Sequence, residues 1–293
     1  MFLTRAAQII GKEGFKTFGY ALQQKMHQNM TDAKAYGNYQ KRIAPKQRIT
    51  DNKADCIAIC GYSESYESMF EVVSGMDAEY IAVCGEGCEF DKEFTAIVSH
   101  YIRIQKRAGR SLRYIYTDSE KYNQEAGCGI PDCKPDYSWD TLLSYNYIGD
   151  AFVVKKDILI DTVNECIKNH GASDKVNYYE QSLMILSGCK RTAVGHIHQV
   201  LVKDLRTDNK SDRIADAKIA DFKEMLLSKL EINADVIADK HDSAVEHVHY
   251  IPDENDLVSI IIPSKDNPDI LKCCLLSISR FTKYINYEIV VVD

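Results

Sequence analysis

Leu257-Val-Ser-Ile-Ile-Ile-Pro-Ser-Lys-Asp-Asn-Pro268, an amphipathic stretch, and then Tyr287-Glu-Ile-Val-Val-Val-Asp293 form the passage that decides the fold class of this chain. The apolar run that ends at Pro263-Ser264 reads as a buried parallel strand with a polar loop at its carboxyl end. Ile270, Leu271, Cys274, Leu275, Ile278 and Phe281 recur at helical spacing. Glu288 to Val292 reads as a second buried strand, with Asp293 at its carboxyl end. The passage is therefore a strand-helix-strand unit whose polar residues stand where open α/β sheets bind ligands.

Upstream, the same alternation recurs. Strands are predicted at Asp55–Cys60, Glu79–Cys84 and Leu112–Tyr116, with helices at Tyr66–Gly75 and Phe90–Arg107, the second closed by Gly109. That order predicts an α/β fold with a mostly parallel sheet flanked by helices. Residues 1–53 read as a polar, helix-forming segment. Residues 211–231 read as an amphipathic helix opened by Ser211 as N-cap, and 232–255 as a short hairpin and linker. The organisation expected is a helical segment (1–53), an α/β domain (54–206), a helix-hairpin linker (207–256) and the opening of a second sheet (257–293).

These motifs resemble the family-2 glycosyltransferases, which have the GT-A nucleotide-sugar fold. That family opens with V-S-I-I-I-P-S/T, a helix containing C-L-x-S-I/L, and a Y-E-I/V-V/I-V-V-D strand. Here the counterparts are Val258–Ser264, Cys274–Ile278 and Tyr287–Asp293. The middle of the chain is similar as well. Glu79 to Phe90 follows the family's strand before its metal motif, and Tyr114 to Lys121 its Y-S-D-E-D-K. Lys134-Pro-Asp-Tyr-Ser-Trp-Asp-Thr-Leu-Leu-Ser-Tyr-Asn-Tyr-Ile-Gly149 is similar to a segment of bacterial transferases that build O-antigen-type and rhamnose-rich polysaccharides. Those proteins often carry two transferase domains in tandem.

The resemblance implies transfer of a sugar from a nucleotide-sugar donor to a growing glycan or lipid-linked acceptor, with Mg²⁺ or Mn²⁺ offsetting the diphosphate's charge. It places Pro263, Ser264, Lys265, Asp266 and Asp293 at the nucleotide. Glu86 and Asp118 are the candidate metal carboxylates, and Glu180 the candidate general base. The segment with Asp136, Tyr137 and Trp139 is the candidate acceptor groove, where rings stack on sugars, or else a loop packed on the sheet. It further implies that this chain is a fragment truncated at the start of the second domain, and that the fragment itself is inactive and holds no cation.

The departures from the family bear on activity. Where the family has D-x-D, this chain has Gly85-Glu86-Gly87. The family's Y-H-W-R falls near Val202–Leu205 with no histidine, and His196 and His198 just upstream read as packing residues. No nucleotide-binding unit precedes residue 75. A non-catalytic carbohydrate-binding or scaffolding module is therefore the alternative. A further alternative is that 257–293 folds back beside 55–60 to complete a permuted sheet.

Composition sets the remaining limits. The chain has 293 residues, 45% hydrophobic and 27% charged, as in water-soluble globular proteins. Its net charge of −7 and lack of a basic run argue against a nucleic-acid partner. No run reaches the about 18 apolar residues of a membrane span. The stretch from Met1 is too soon charged for a secretion signal and reads as a packing helix or an amphipathic surface helix. The latter would give peripheral membrane association. Ten cysteines without a C-x-x-C pair read as reduced thiols in a cytoplasm, and peripheral association would place the chain at the inner face of the membrane. Cys84, Cys88, Cys128 and Cys133 are the alternative zinc set.

Overall fold

A computed structural model describes residues 56–123, 128–206, 217–240, 242, 244–253 and 256–292. The segment 1–53, Ser211 and Asp293 lie outside these residues. The fold is α/β. Its centre is a seven-stranded mixed sheet in the order β1-β2-β6-β4-β7-β3, with β5 on β4. The strands are β1 (Ile57–Cys60), β2 (Tyr80–Cys84), β3 (Cys88–Phe90), β4 (Tyr114–Asn123), β5 (Cys128–Asp132), β6 (Ala151–Lys155) and β7 (Val194–Asp204).

β1 pairs with β2 in parallel, and β4 with β7 in parallel. β6 runs antiparallel to both β2 and β4, so β1, β2 and β4 share one direction, as their sequence order predicts. β2 explains its own central place: all five residues of Tyr80-Ile-Ala-Val-Cys84 are buried, as in a strand covered on both faces.

One face of the sheet packs on helices α1 (Tyr66–Gly75), α3 (Trp139–Ser144), α4 (Lys156–Asn169) and α5 (Tyr178–Leu186). Met69, Val73, Leu143, Leu159, Val163, Leu183 and Leu186 meet the strand residues Ile81, Val83, Tyr114 and Phe152 there. The other face packs on α2 (Phe94–Arg107), whose Phe94, Val98 and Ile102 meet Ala82, Ile115 and Val153. Side-chain caps fix several helix starts. Ser65 and Ser68 form a capping box on α1, and Asn177 Oδ1 accepts from Glu180 N–H at 3.1 Å on α5.

The helix α6 (Ala217–Lys229) and the antiparallel hairpin β8 (Ala234–Ala238)–β9 (Glu246–Tyr250) follow. Ile219, Phe222, Leu226, Leu227 and Val236 all belong to the first core face, so this segment is packed into the same core as α5. Lys223, fully buried, reaches Glu246 at 2.5 Å and ties α6 to β9.

Residues 258–292 fold as the predicted unit: β10 (Val258–Pro263), α7 (Pro268–Phe281) and β11 (Tyr287–Val292). β10 and β11 pair in parallel in a two-stranded sheet of their own, from Val258 opposite Tyr287 to Pro263 opposite Val292. They do not join β1, which removes the permuted-sheet alternative.

Candidate functional site

Several strands of the central sheet bring polar residues to one edge. β4 sends Thr117, Ser119 and Lys121, and β7 ends there at Asp204, with Arg206 just beyond it. The antiparallel β6 begins there after Asp150. These residues line a cleft of about 900 Å³, closed on its far side by Tyr145, Asn146, Asn177 and Glu246. The carboxyl ends of parallel strands are where open α/β sheets form their ligand crevice, and the volume suits a small organic ligand.

The cleft floor is organised by one cation. Arg206 donates from Nε and an Nη to the two oxygens of Asp204, both at 2.8 Å. Its other Nη reaches Asp150. Such a bidentate pair is both strong and directional. Burial alone would raise the Asp204 carboxyl, but Arg206 outweighs burial and holds it below the usual carboxylate range.

Gly85 and Gly87 exist to let this arrangement close. A Cβ on Gly85 would stand 2.6 Å from Asp150 Cβ, and one on Gly87 2.7 Å from Arg206 Cγ. Gly87 also has φ of +72°, a conformation that favours glycine. The place of a D-x-D is thus packed against a guanidinium. Glu86 points away and pairs with Lys175 at 3.1 Å, both exposed. Asp150 and Asp204 are spent on Arg206. These residues do not fit a Mg²⁺ or Mn²⁺ shell, which needs several free oxygen ligands.

Cys84 and Cys88 flank the same turn. Burial pushes the Cys84 thiol up to about 11 and the Cys88 thiol up to about 12. Both thiols are therefore held protonated near neutral pH, which makes neither a ready nucleophile.

The Lys134–Gly149 segment builds the cleft's wall. Lys134 Nζ, its side chain only 4% exposed, donates to Asp132 at 3.2 Å and to the Tyr147 carbonyl at 2.9 Å. Tyr116 Oη donates to the Pro135 carbonyl at 2.7 Å. Of the aromatics, Tyr145 lines the cleft as an exposed residue (39%), set edge-on to the buried Tyr147.

The candidate acceptor residues are placed elsewhere. Tyr137 donates to the Leu186 carbonyl at 3.2 Å, and Trp139 packs half-buried against the first core face. Asp136 turns outward to β7. Glu180 is buried on α5 and held by His170 Nε2 at 2.6 Å, beside Tyr66 and Cys166 rather than in the cleft. Asp118 is buried and accepts from the Lys134 N–H at 3.0 Å and from His196 Nε2 at 2.9 Å.

His196, read from sequence as a packing residue, therefore belongs to a polar cluster with Asp118, Asp136 and His198. The signal was the H-x-H spacing, which puts both rings on one face of a strand. The carboxylate partners lie 60 and 78 residues away in sequence and carry no local signal. Among the described residues, no cysteine joins a metal-competent group, and Cys128 lies outside the described side chains.

At the far end of the chain, Pro263, Lys265 and Asp266 are exposed and Ser264 half-buried, on the loop after β10. Ser264 N–H donates to the Val292 carbonyl at 2.9 Å, which sets this loop beside the end of β11. Asp266 has φ of +53°.

No family model matches this chain. It is 26% identical over 190 residues to a curated Myxococcus xanthus protein named "O-antigen biosynthesis protein RfbC". That alignment covers 62% of this chain and 14% of the relative, so the chain spans a small part of the relative's length.

Proposed function

We propose that this chain is part of a glycosyltransferase of surface-polysaccharide synthesis, and that its central sheet is a GT-A-like module that holds glycan without a catalytic cation of its own. The observation that carries the reading is the Arg206 clamp on Asp150 and Asp204, set against Gly85-Glu86-Gly87. In the family that this sequence resembles, that turn supplies the cation's carboxylates. Here an internal guanidinium offsets them instead, so the charge that would receive a diphosphate is already neutralised. What the cleft keeps is suited to sugar: an exposed tyrosine ring, amides at Asn146 and Asn177, and carboxylates held in fixed positions. The name of the relative, which concerns O-antigen biosynthesis, supports the same substrate class.

Donor chemistry then belongs to the unit at 258–292. Its polar loop Pro263–Asp266 stands at the carboxyl end of β10, next to the end of β11, where a nucleotide would sit with Asp293. In this reading the complete polypeptide moves a sugar from a nucleotide donor to a glycan or lipid-linked acceptor, on the cytoplasmic side of the membrane. Among the described residues no helix is long and apolar enough to cross a membrane.

A sugar-transfer assay on the complete polypeptide tests the division of labour. Glu86→Ala should leave turnover within about twofold of the wild type, as for a surface change far from the chemistry. Asp293→Ala should abolish it. Loss of turnover in Glu86→Ala would return the catalytic cation to the first sheet and overturn the proposal.

A further inference from the structure

We propose that Asp136, His196 and His198 form a site for one divalent transition-metal ion of the zinc class, outside the cleft and independent of the sugar reading. His196 and His198 are two apart on β7 and present their rings to one side, 4.0 Å between centroids. Asp136, on the loop ahead of α3, comes over them. Its Oδ1 lies 3.3 Å from His196 Nδ1 and 3.4 Å from His198 Nε2. In a tetrahedral site with bonds of about 2.0–2.1 Å, neighbouring donor atoms stand roughly 3.3–3.4 Å apart. The three donor atoms, all within 4.8 Å of one another, are therefore close to ligand spacing before an ion enters.

The support behind His196 is of the kind metal histidines have. Its Nε2 meets Asp118 Oδ1 at 2.9 Å, and both side chains are at most 6% exposed. Asp118 is fixed in turn by the Lys134 N–H. A buried carboxylate that accepts from the far ring nitrogen sets the tautomer and raises ligand basicity. With the proton on Nε2, the Nδ1 lone pair faces the Asp136 carboxylate, an arrangement that calls for a cation between them. The ring cannot swing away, because it stacks on Tyr116 at 4.4 Å and 14°.

Two imidazoles and one carboxylate select zinc, cobalt or nickel over magnesium or calcium. His198 and Asp136 are 68% and 58% exposed, so the fourth position opens to solvent. Arg191, 3.8 Å from the other Asp136 oxygen, is the nearest competing charge. An ion here would pin the Lys134–Pro135 wall of the cleft to β7 from outside.

The test uses the 293-residue chain, reduced and stripped with EDTA. Titration with Co²⁺ should give the visible d–d bands of a tetrahedral nitrogen-oxygen site, saturating at one equivalent, and Zn²⁺ should displace it. Zn²⁺ affinity, read by competition with a chromogenic chelator, should fall at least about tenfold in His198→Ala. That exposed side chain can be removed without unfolding, which circular dichroism checks. Magnesium in large excess should not compete. Equal Zn²⁺ affinity in wild type and His198→Ala, or a thiolate-to-cobalt charge-transfer band, would overturn the assignment. So would the absence of any Co²⁺ signal, because the cluster would then be held by an imidazolium.

Discussion

Arg206 meets Asp204 through two N–H···O contacts and reaches Asp150 with its remaining arm, while Gly87 leaves room for its stem. Removing it in Arg206→Ala leaves Asp204, 14% exposed, without the guanidinium and with only the backbone N–H of residue 206, which donates to Oδ1 at 3.1 Å. Charged hydrogen bonds of this kind are worth about 1.5–3 kcal/mol, and urea unfolding at neutral pH should show a loss of that order. The acid side gives the matching check. The folded carboxyl of Asp204 titrates below the unfolded value of about 3.9. Its contribution is therefore complete above that value and is lost as pH falls through the folded pKa. The difference between wild type and Arg206→Ala should shrink in that acid range. The cleft was only partly legible in sequence at this scale. The missing D-x-D could be read directly from Gly85-Glu86-Gly87. The guanidinium that replaces it could not, because Arg206 meets Asp150 from 56 residues away. The same holds for His196, whose partners come from β4 and from the loop ahead of α3, not from its own strand.

The helices and the first strands follow from local pattern. Tyr66–Gly75 was predicted with the bounds it has, and β1 and β2 lie within the predicted runs. Phe90–Arg107 begins later, at Phe94, because Cys88–Phe90 is taken up by pairing with β7. β6 is a five-residue strand without a turn signature of its own, and its antiparallel place between β2 and β4 is a long-range choice. Helix α6 is the element whose role local pattern conveys least. Its amphipathic spacing predicts a helix but not what it covers, and it supplies four buried residues to the first core face. Leu227 is fully buried there. Leu227→Ala should cost about 2–5 kcal/mol, as for a core leucine, measured by denaturant unfolding of the central fold. A cost under about 0.5 kcal/mol would mean that α6 is a tether and not a part of that fold.

Across the whole molecule, two sheets have different completeness. The seven-stranded sheet buries both faces under helices. The β10–α7–β11 unit leaves Ile261, Ile270, Phe281 and Ile285 between 67% and 89% exposed, and α7 has no buried residue. Apolar surface of that kind calls for a cover, and further strands beside β10 and β11 would supply it in the reading proposed above. The function proposed above assigns sugar recognition in this chain to the cleft of the first sheet. Calorimetric titration of the 293-residue chain in EDTA, with a panel of neutral hexose and deoxyhexose oligosaccharides, tests that claim most directly. The account predicts saturable binding that weakens about tenfold in Tyr145→Ala, as for loss of one stacked ring, and is unchanged in Glu86→Ala. In a separate EDTA-free titration with Mn²⁺ at equal concentration in cell and syringe, it predicts no heat of binding with uridine diphosphate. Metal-dependent binding of the nucleotide that is lost in Glu86→Ala, with no response to any oligosaccharide, would contradict it.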